Sequence, residues 1–201
     1  MSNNFIPLSA NELVKRINNI PKVELANLPT PLEFLPNISK ELEINLFIKR
    51  DDCTGLAFGG NKTRHLEFIM HKAKMGNYDC VLTGAATQSN WCRQTVAAAN
   101  KLGLETFLVL VRGIKGNQMQ GNFLLYDILG AQVDVVEGEN VEDIPEHLDR
   151  KYDELIKAKR NPLLIKGGFD IKDTVLAGIS YANAMAELDF QMKENNFMAD
   201  H

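Results

Sequence analysis

Lys62 stands in the first helical turn of FGGNKTRHLEF (58–68), where a glycine turn runs straight into a helix pattern. A helix N-terminus carries about half a positive charge, so an ammonium there is disfavoured by about 0.3–1 kcal/mol, whereas a phosphate or carboxylate is welcome. A lysine in such a place suits the chemistry of an amine that attacks carbonyls to form a Schiff base. Gly59 and Gly60 permit positive φ and close backbone approach, and Asn61 can cap the helix or donate to a ligand. Taken alone, a plain glycine turn before a helix covers the segment equally well.

The second cluster is TGAATQSN (83–90), a strand end leading into a helix start. Ser89 and Asn90 are both good N-caps, which suffices for a capped helix. Thr87, Gln88, Ser89 and Asn90 nevertheless place consecutive hydrogen-bonding side chains where the edge of a ligand would rest, more than one cap requires. Arg93 and Gln94, one turn later, can bind a carboxylate, brace the loop or lie on an exposed helix face. A nucleotide site is the rival chemistry, because Gly55–Thr63 is one residue away from GxxxxGK[ST]. Asn61 occupies the position of that lysine and no strand offers a Mg²⁺ aspartate, so this reading is the weaker.

These residues need elements to hold them. Ser9 to Glu12 is a capping box opening a short helix, and NLPTPLEFLP is an extended or turned arm, since residues before proline avoid the helical region. INLFIKRDD reads as the first strand and KTRHLEFIMHKAKMG as a helix closed by Gly76. There follow a strand in YDCVLTGA, a helix in QSNWCRQTVAAANKLG, a strand in TFLVLVRG, a helix in GNQMQGNFLLYDILG and a strand in AQVDVVEG. Residues 142–160 form a charged amphipathic helix, PLLIKGG a strand, and a long helix from Asp173 ends the alternation. The pattern predicts an α/β fold, a parallel twisted sheet with helices on both faces. In such sheets ligands sit at the carboxyl ends of strands, where CTGLAFGGNK, TGAATQSN and KGGFD are expected.

With 201 residues, 45% of them hydrophobic and 24% charged, the chain has a globular composition. Its net charge of −4 argues against a nucleic-acid or anionic-membrane binder. No stretch approaches the roughly 20 apolar residues of a membrane span, and no signal sequence is evident, so a cytoplasmic protein is expected. Cys53, Cys80 and Cys92 lack zinc spacing and read as partly buried free thiols; His65, His71, His147 and His201 form no metal motif and read as surface or partly satisfied residues. No metal is expected.

FGGNKTRHLEF, TGAATQSNWCRQTVAAANKLGL and GNFLLYDILGAQV, in this order and separation, resemble the pyridoxal 5'-phosphate (PLP) enzymes of the D-cysteine desulfhydrase and 1-aminocyclopropane-1-carboxylate deaminase family. The resemblance runs from about residue 24 through most of the chain. It implies a fold-type-II, tryptophan synthase beta-like architecture. Residues 1–60 and 173–201 would belong to a larger domain and residues 61–172 would form the smaller parallel α/β domain. It implies that Lys62 bonds the cofactor's aldehyde, with Asn61 beside it and Asn90 on the 3′-oxygen, and that Gln88, Ser89 and Asn90 face the substrate, with Lys62 and Ser89 as the catalytic groups. KGGFD takes the place of a glycine-containing active-site loop, with Phe169 and Asp170 departing from small polar residues; Trp91 also departs from the pattern and either narrows the pocket or packs behind the loop. The implied reaction releases ammonia and a 2-oxo acid from a small amino acid, with a homodimer as the full-length assembly. The phosphate loop, the partner of the pyridine nitrogen and a substrate-facing tyrosine come from the family's second half, so the chain corresponds to an N-terminal portion, truncated relative to such an enzyme. The alternative is an inactive remnant or interaction module with this fold.

Overall fold

The computed structural model describes residues 8–112, 118–136 and 140–200. Parts of four predicted features, the last residue of TFLVLVRG, the first residues of GNQMQGNFLLYDILG, the end of AQVDVVEG and His201, lie outside them. Helix α1 (Ala10–Ile17) opens with the expected capping box, in which Ser9 and Glu12 satisfy each other's backbone donors. A two-stranded antiparallel hairpin, β1 (Leu32–Phe34) and β2 (Phe47–Lys49), flanks α2 (Pro36–Leu42). After α3 (Lys62–Ile69) and α4 (His71–Met75) come β3 (Cys80–Ala86), α5 (Asn90–Lys101), β4 (Glu105–Val111), α6 (Gly121–Ile128), β5 (Gln132–Val135), α7 (Ile144–Lys157), β6 (Pro162–Leu164) and α8 (Ile171–Glu194).

The sheet has the order β5-β4-β3-β6 and is parallel throughout. Its two faces follow from the period-2 alternation of β3 and β4. Leu108 and Leu110 pack with Cys92, Val96, Phe123 and Tyr126 of α5 and α6. Phe107, Val109 and Val111, with Cys80 and Leu82, pack under Ile144, Leu148 and Leu155 of α7. Val81 joins Leu66, Ile69 and Met70 of α3 and Ala98 and Ala99 of α5 in a third cluster. Covering a parallel sheet on both faces buries β3 and β4 almost completely, as their apolar runs require.

Two expectations are corrected. INLFIKRDD does not begin the parallel sheet: only residues 47–49 are extended, and they pair antiparallel with Leu32–Phe34 inside the stretch taken for an arm. The exposed Ile48 shows why: this strand is covered on one side only and cannot lie at a sheet centre. The lysine loop therefore follows a hairpin, and only the other two predicted loops leave strands of the parallel sheet. The helix expected to run to Gly76 is likewise divided at Met70 into α3 and α4.

A polar lattice ties the hairpin to α3 and α8. Arg64, only 2% exposed, donates to Asp51 at 2.8 and 2.9 Å, to both carboxylate oxygens of Glu187 at 3.0 Å and to the Thr30 hydroxyl at 3.0 Å. Lys49 donates to Glu187 at 2.5 Å and to the Thr30 carbonyl at 2.6 Å. A buried guanidinium is tolerable only when its donors are spent in this way.

Candidate active site

The lysine loop is built from unusual backbone. Ala57, Phe58, Gly59 and Gly60 all have positive φ, and a Cβ on Gly59 would fall 1.8 Å from the Asp52 carbonyl oxygen. Only glycine fits there. Gly60 N–H is held by Thr54 Oγ1 at 2.8 Å and by the Asp51 carbonyl at 2.9 Å, so the turn is fixed before α3 begins. Asn61 occupies the cap position without capping; its side-chain amide donates to the Tyr181 hydroxyl of α8.

Lys62, the first residue of α3, lines a cavity of about 300 Å³. The cavity lies at the carboxyl ends of the adjacent strands β3 and β6, with walls from Gly84 and Ala85, Trp91, the loop Lys166–Phe169, and α8 at Asp173 and Ala177. The chain leaves these two neighbouring strands for different elements, which is where open α/β sheets bind ligands. Among the described residues, the Lys62 ammonium forms no hydrogen bond and no ion pair. Lys166, also in the wall, is occupied by Asp149 at 2.6 Å. Asp173 is occupied too, by Lys72 at 2.9 Å and the Gly167 N–H at 3.3 Å.

The second loop is spent differently. Ser89 caps α5, its Oγ accepting from Cys92 N–H at 3.3 Å, and its carbonyl accepts from the Tyr126 hydroxyl at 2.8 Å. Gln88 bridges to the start of α6, donating to the Gln120 carbonyl at 3.0 Å and accepting from Asn122 N–H at 2.9 Å. Asn90 Oδ1 accepts from Arg93 and from Asn122, both at 3.0 Å. Gln88, Ser89 and Asn90 are not in the wall of the lysine cavity. Arg93 joins the two loops, because its other nitrogen donates to the Gly59 carbonyl at 2.8 Å. Of the roles open to Arg93 and Gln94 in the sequence, both brace: Gln94 is buried and accepts from Thr63 at 2.7 Å.

Three participants were undervalued by the sequence reading. Trp91 both lines the cavity and is anchored behind it, its indole N–H donating to Thr83 Oγ1 at 2.9 Å. The KGGFD loop forms a wall, and Gly167 (φ +58) leaves room beside Trp91, where a Cβ would meet the indole at an ordinary 3.7 Å. Its place after the last strand was the available signal. His65, expected at the surface or partly satisfied, is 2% exposed, lines the same cavity and lies 2.6 Å from Ser180 Oγ through Nδ1. Its spacing of three residues from Lys62, one helical turn, was the signal for that one. Burial, reinforced by the Lys62 charge, pushes His65 down to about 4. Cys80 and Cys92 are buried and Cys53 is exposed; all are free.

The model of the pyridoxal-phosphate dependent enzyme family matches residues 23–198. The chain belongs to this family. A putative 1-aminocyclopropane-1-carboxylate deaminase of Pyrococcus horikoshii is 37% identical over 171 residues, covering 85% of this chain and 51% of that protein. D-cysteine desulfhydrase of Klebsiella pneumoniae subsp. pneumoniae is 35% identical over 185 residues, covering 90% and 55%. The crystal structure of an ACC deaminase homologue superposes with a TM-score of 0.79 at 34% identity, covering 92% of this chain and 55% of that one. Diaminopropionate ammonia lyase of Escherichia coli shares the fold at 16% identity, with a TM-score of 0.67. The chain spans about half the length of the curated relatives it matches. The fold is that of fold-type-II PLP enzymes, and the family's cofactor is pyridoxal 5'-phosphate.

The residues present fit that group. A bare amine in a cavity of ligand size is the nucleophile an aldehyde requires, and the glycines of the wall leave open space beside Trp91 that side chains would fill. The nucleotide reading loses its footing, because a P-loop follows a strand of a parallel sheet and this loop follows the antiparallel hairpin.

Proposed function

We propose that the chain supplies the lysine-bearing part of a cytoplasmic PLP-dependent lyase or deaminase acting on a small amino acid, releasing ammonia and a 2-oxo acid. The reaction is either β-elimination, as the name D-cysteine desulfhydrase describes, or ring opening, as in 1-aminocyclopropane-1-carboxylate deaminase. The observation that carries this reading is the unpaired Lys62 amine in the cavity at the ends of β3 and β6. Bound there, the cofactor supplies an electron sink for a negative charge developing on the substrate. Lys62 would hold the cofactor through its aldehyde, and as a free amine it would hold or move a proton at its Nζ. Asn61, beside it in the loop, and Asn90 would help hold the cofactor ring. Gln88, Ser89 and Asn90 receive the substrate, with the Ser89 hydroxyl near the reacting atoms. Trp91 and Phe169 narrow the cavity, which favours small substrates.

Residues 1–60 and 173–201 form part of the larger domain in this proposal. The Lys49–Glu187 bond and the Phe47–Phe197 stack at 4.3 Å support that division. The full assembly is a homodimer. The free thiols suit a reducing cytoplasm. No helix among the described residues is long and apolar enough to cross a membrane.

A second reading, an inactive interaction module, draws on the exposed apolar side chains Ile171, Val175, Tyr181 and Met185 along α8. Product assays separate the two. Given PLP, D-cysteine is expected to yield sulfide, ammonia and pyruvate, and 1-aminocyclopropane-1-carboxylate is the comparison substrate. Absence of all products, with PLP bound or not, favours the module.

A further inference from the structure

Arg93, in the first turn of α5, carries a half-buried guanidinium that forms no ion pair among the described residues. Its bonds go to three neutral oxygens instead. Nη1 donates to Asn90 Oδ1 at 3.0 Å and to Asn122 Oδ1 at 2.8 Å, and Nη2 donates to the Gly59 carbonyl at 2.8 Å. The Nε–H is buried without a partner, and burial holds the group below its ordinary pKa. Burying a charge against neutral oxygens is unfavourable, and a simple brace between loops does not need it. What a guanidinium has that a neutral side chain lacks is that it donates at every nitrogen and accepts at none.

That property decides which way the neighbouring amides face. An asparagine atom that receives an arginine N–H must be the oxygen, so Asn122 turns Oδ1 to Arg93. Its Nδ2 then donates to the Gln88 carbonyl at 2.8 Å, a group that can only accept, and the two requirements agree. The same Nδ2 donates to Asn90 at 3.0 Å. Asn90 therefore meets two donors, Arg93 and Asn122, and presents Oδ1 to both. Turning the Asn90 amide over would set donor against donor and lose both bonds. Its other end, Nδ2, forms no hydrogen bond among the described residues, and Asn90 is exposed.

We infer that Arg93 and Asn122 are positioning residues that fix the Asn90 amide with its NH₂ end outward, as a hydrogen-bond donor for an anionic ring oxygen of the cofactor. The inference deepens the reading in which Asn90 helps hold the cofactor ring, and rests on it for the identity of the ligand. The Gly59 carbonyl is the third point of the clamp, so the guanidinium that sets this donor also holds the turn that carries Lys62. An exposed asparagine left to itself turns over and offers either end. A fixed donor meets a ligand oxygen without first losing that freedom.

The test reads the Asn90 side chain by NMR in the ¹³C,¹⁵N-labelled full chain, first without PLP, with Asn90→Asp assigning its signals. The expected result is a pair of Nδ2 protons that exchange with water like those of a surface asparagine, joined to a Cγ displaced downfield by the bonds on its oxygen. Arg93→Met should move Cγ upfield, and Asn122→Ala, which removes one donor, should move it part of the way. Slowly exchanging Nδ2 protons, or a Cγ indifferent to both variants, would overturn the inference. Should Arg93→Met not fold, Asn122→Ala carries the comparison, and the wild-type exchange rate by itself reports which end faces outward. PLP added to the wild type should then shift and protect the Nδ2 protons. Arg93→Met should still be labelled on Lys62 after borohydride but bind PLP about tenfold more weakly, the worth of roughly one oriented hydrogen bond. Labelling of Lys62 that leaves the Asn90 protons unmoved would overturn the inference and spare the reading of Lys62. An unlabelled Lys62, with the PLP-free signals as expected, would overturn the reading of Lys62 and support the orientation of Asn90.

Discussion

The two polar loops at this end of the molecule are alike in sequence and opposite in use. Along the turn and helix that carry Lys62 the polar side chains Thr54, Arg64 and Gln94 are buried and hydrogen-bonded, while Lys62 makes no hydrogen bond or ion pair among the described residues. In the 88–90 loop every side chain is engaged, Gln88 and Asn90 with the start of α6 and Ser89 as the cap of α5. A free amine on a hydrogen-bonded scaffold is a site held ready for chemistry, whereas a loop whose side chains are bonded is a fixed wall unless a ligand competes for its bonds. Arg93, bonded to both Gly59 and Asn90, makes the position of one depend on the other.

The contrast is sharpest where the lysine frame is cut. Arg64→Met leaves the partly buried Asp51 without its cation and Glu187 with Lys49 as its remaining one, with an expected loss of about 3–5 kcal/mol measured by urea unfolding. Burial alone would raise the Glu187 pKa, but the hydrogen bonds from Arg64 and Lys49 outweigh it and hold the carboxylate below its ordinary 4.5. Its contribution to stability is therefore complete above about pH 4.5 and lost as the pH falls further. The acid limb of the stability profile should be flatter in Arg64→Met.

Gly59→Ala, which combines the clash with the Asp52 carbonyl and a left-handed backbone, is expected to cost about 1–3 kcal/mol, read as a lowered denaturation midpoint. Gln88→Ala, removing two bonds of a half-buried brace, should cost about 1–2 kcal/mol by the same assay. Its larger consequence should be faster proteolysis at the 88–90 loop; equal cleavage in mutant and wild type would remove the distinction drawn between the loops. Lys62→Ala stands at the other end, with stability expected within about 0.5 kcal/mol of wild type, since no bond is lost.

Much of this was legible in residues whose meaning is local. The apolar runs of β3 and β4, the glycines closing helices at Gly103 and Gly130, and the Ser9–Glu12 box speak through spacing alone, and the structure agrees with each. Lys62 could be singled out because a helix N-terminus is the wrong place for a cation. What escaped depends on partners far along the chain. Residues 44–52 have the composition of a core strand, yet among the described residues they pair with Leu32–Phe34, in a segment whose prolines suggested an arm. His65 looked like an ordinary helix residue because Ser180 and Tyr181, which bury and orient it, lie over a hundred residues away. Trp91 could not be placed before or behind its loop until Thr83 was seen to anchor the indole.

The central claim is that the unpaired Lys62 amine is the group that bonds PLP. Its most direct test is to add PLP to the purified chain, record the visible spectrum, reduce with borohydride and map the modified peptide, in parallel with Lys62→Ala. The account predicts a Schiff-base absorption band, a reduced pyridoxyl group on Lys62, and loss of both in a variant that remains folded. A folded wild-type chain that gives no band, or one labelled on surface lysines in proportion to their exposure while Lys62 stays unmodified, would contradict it.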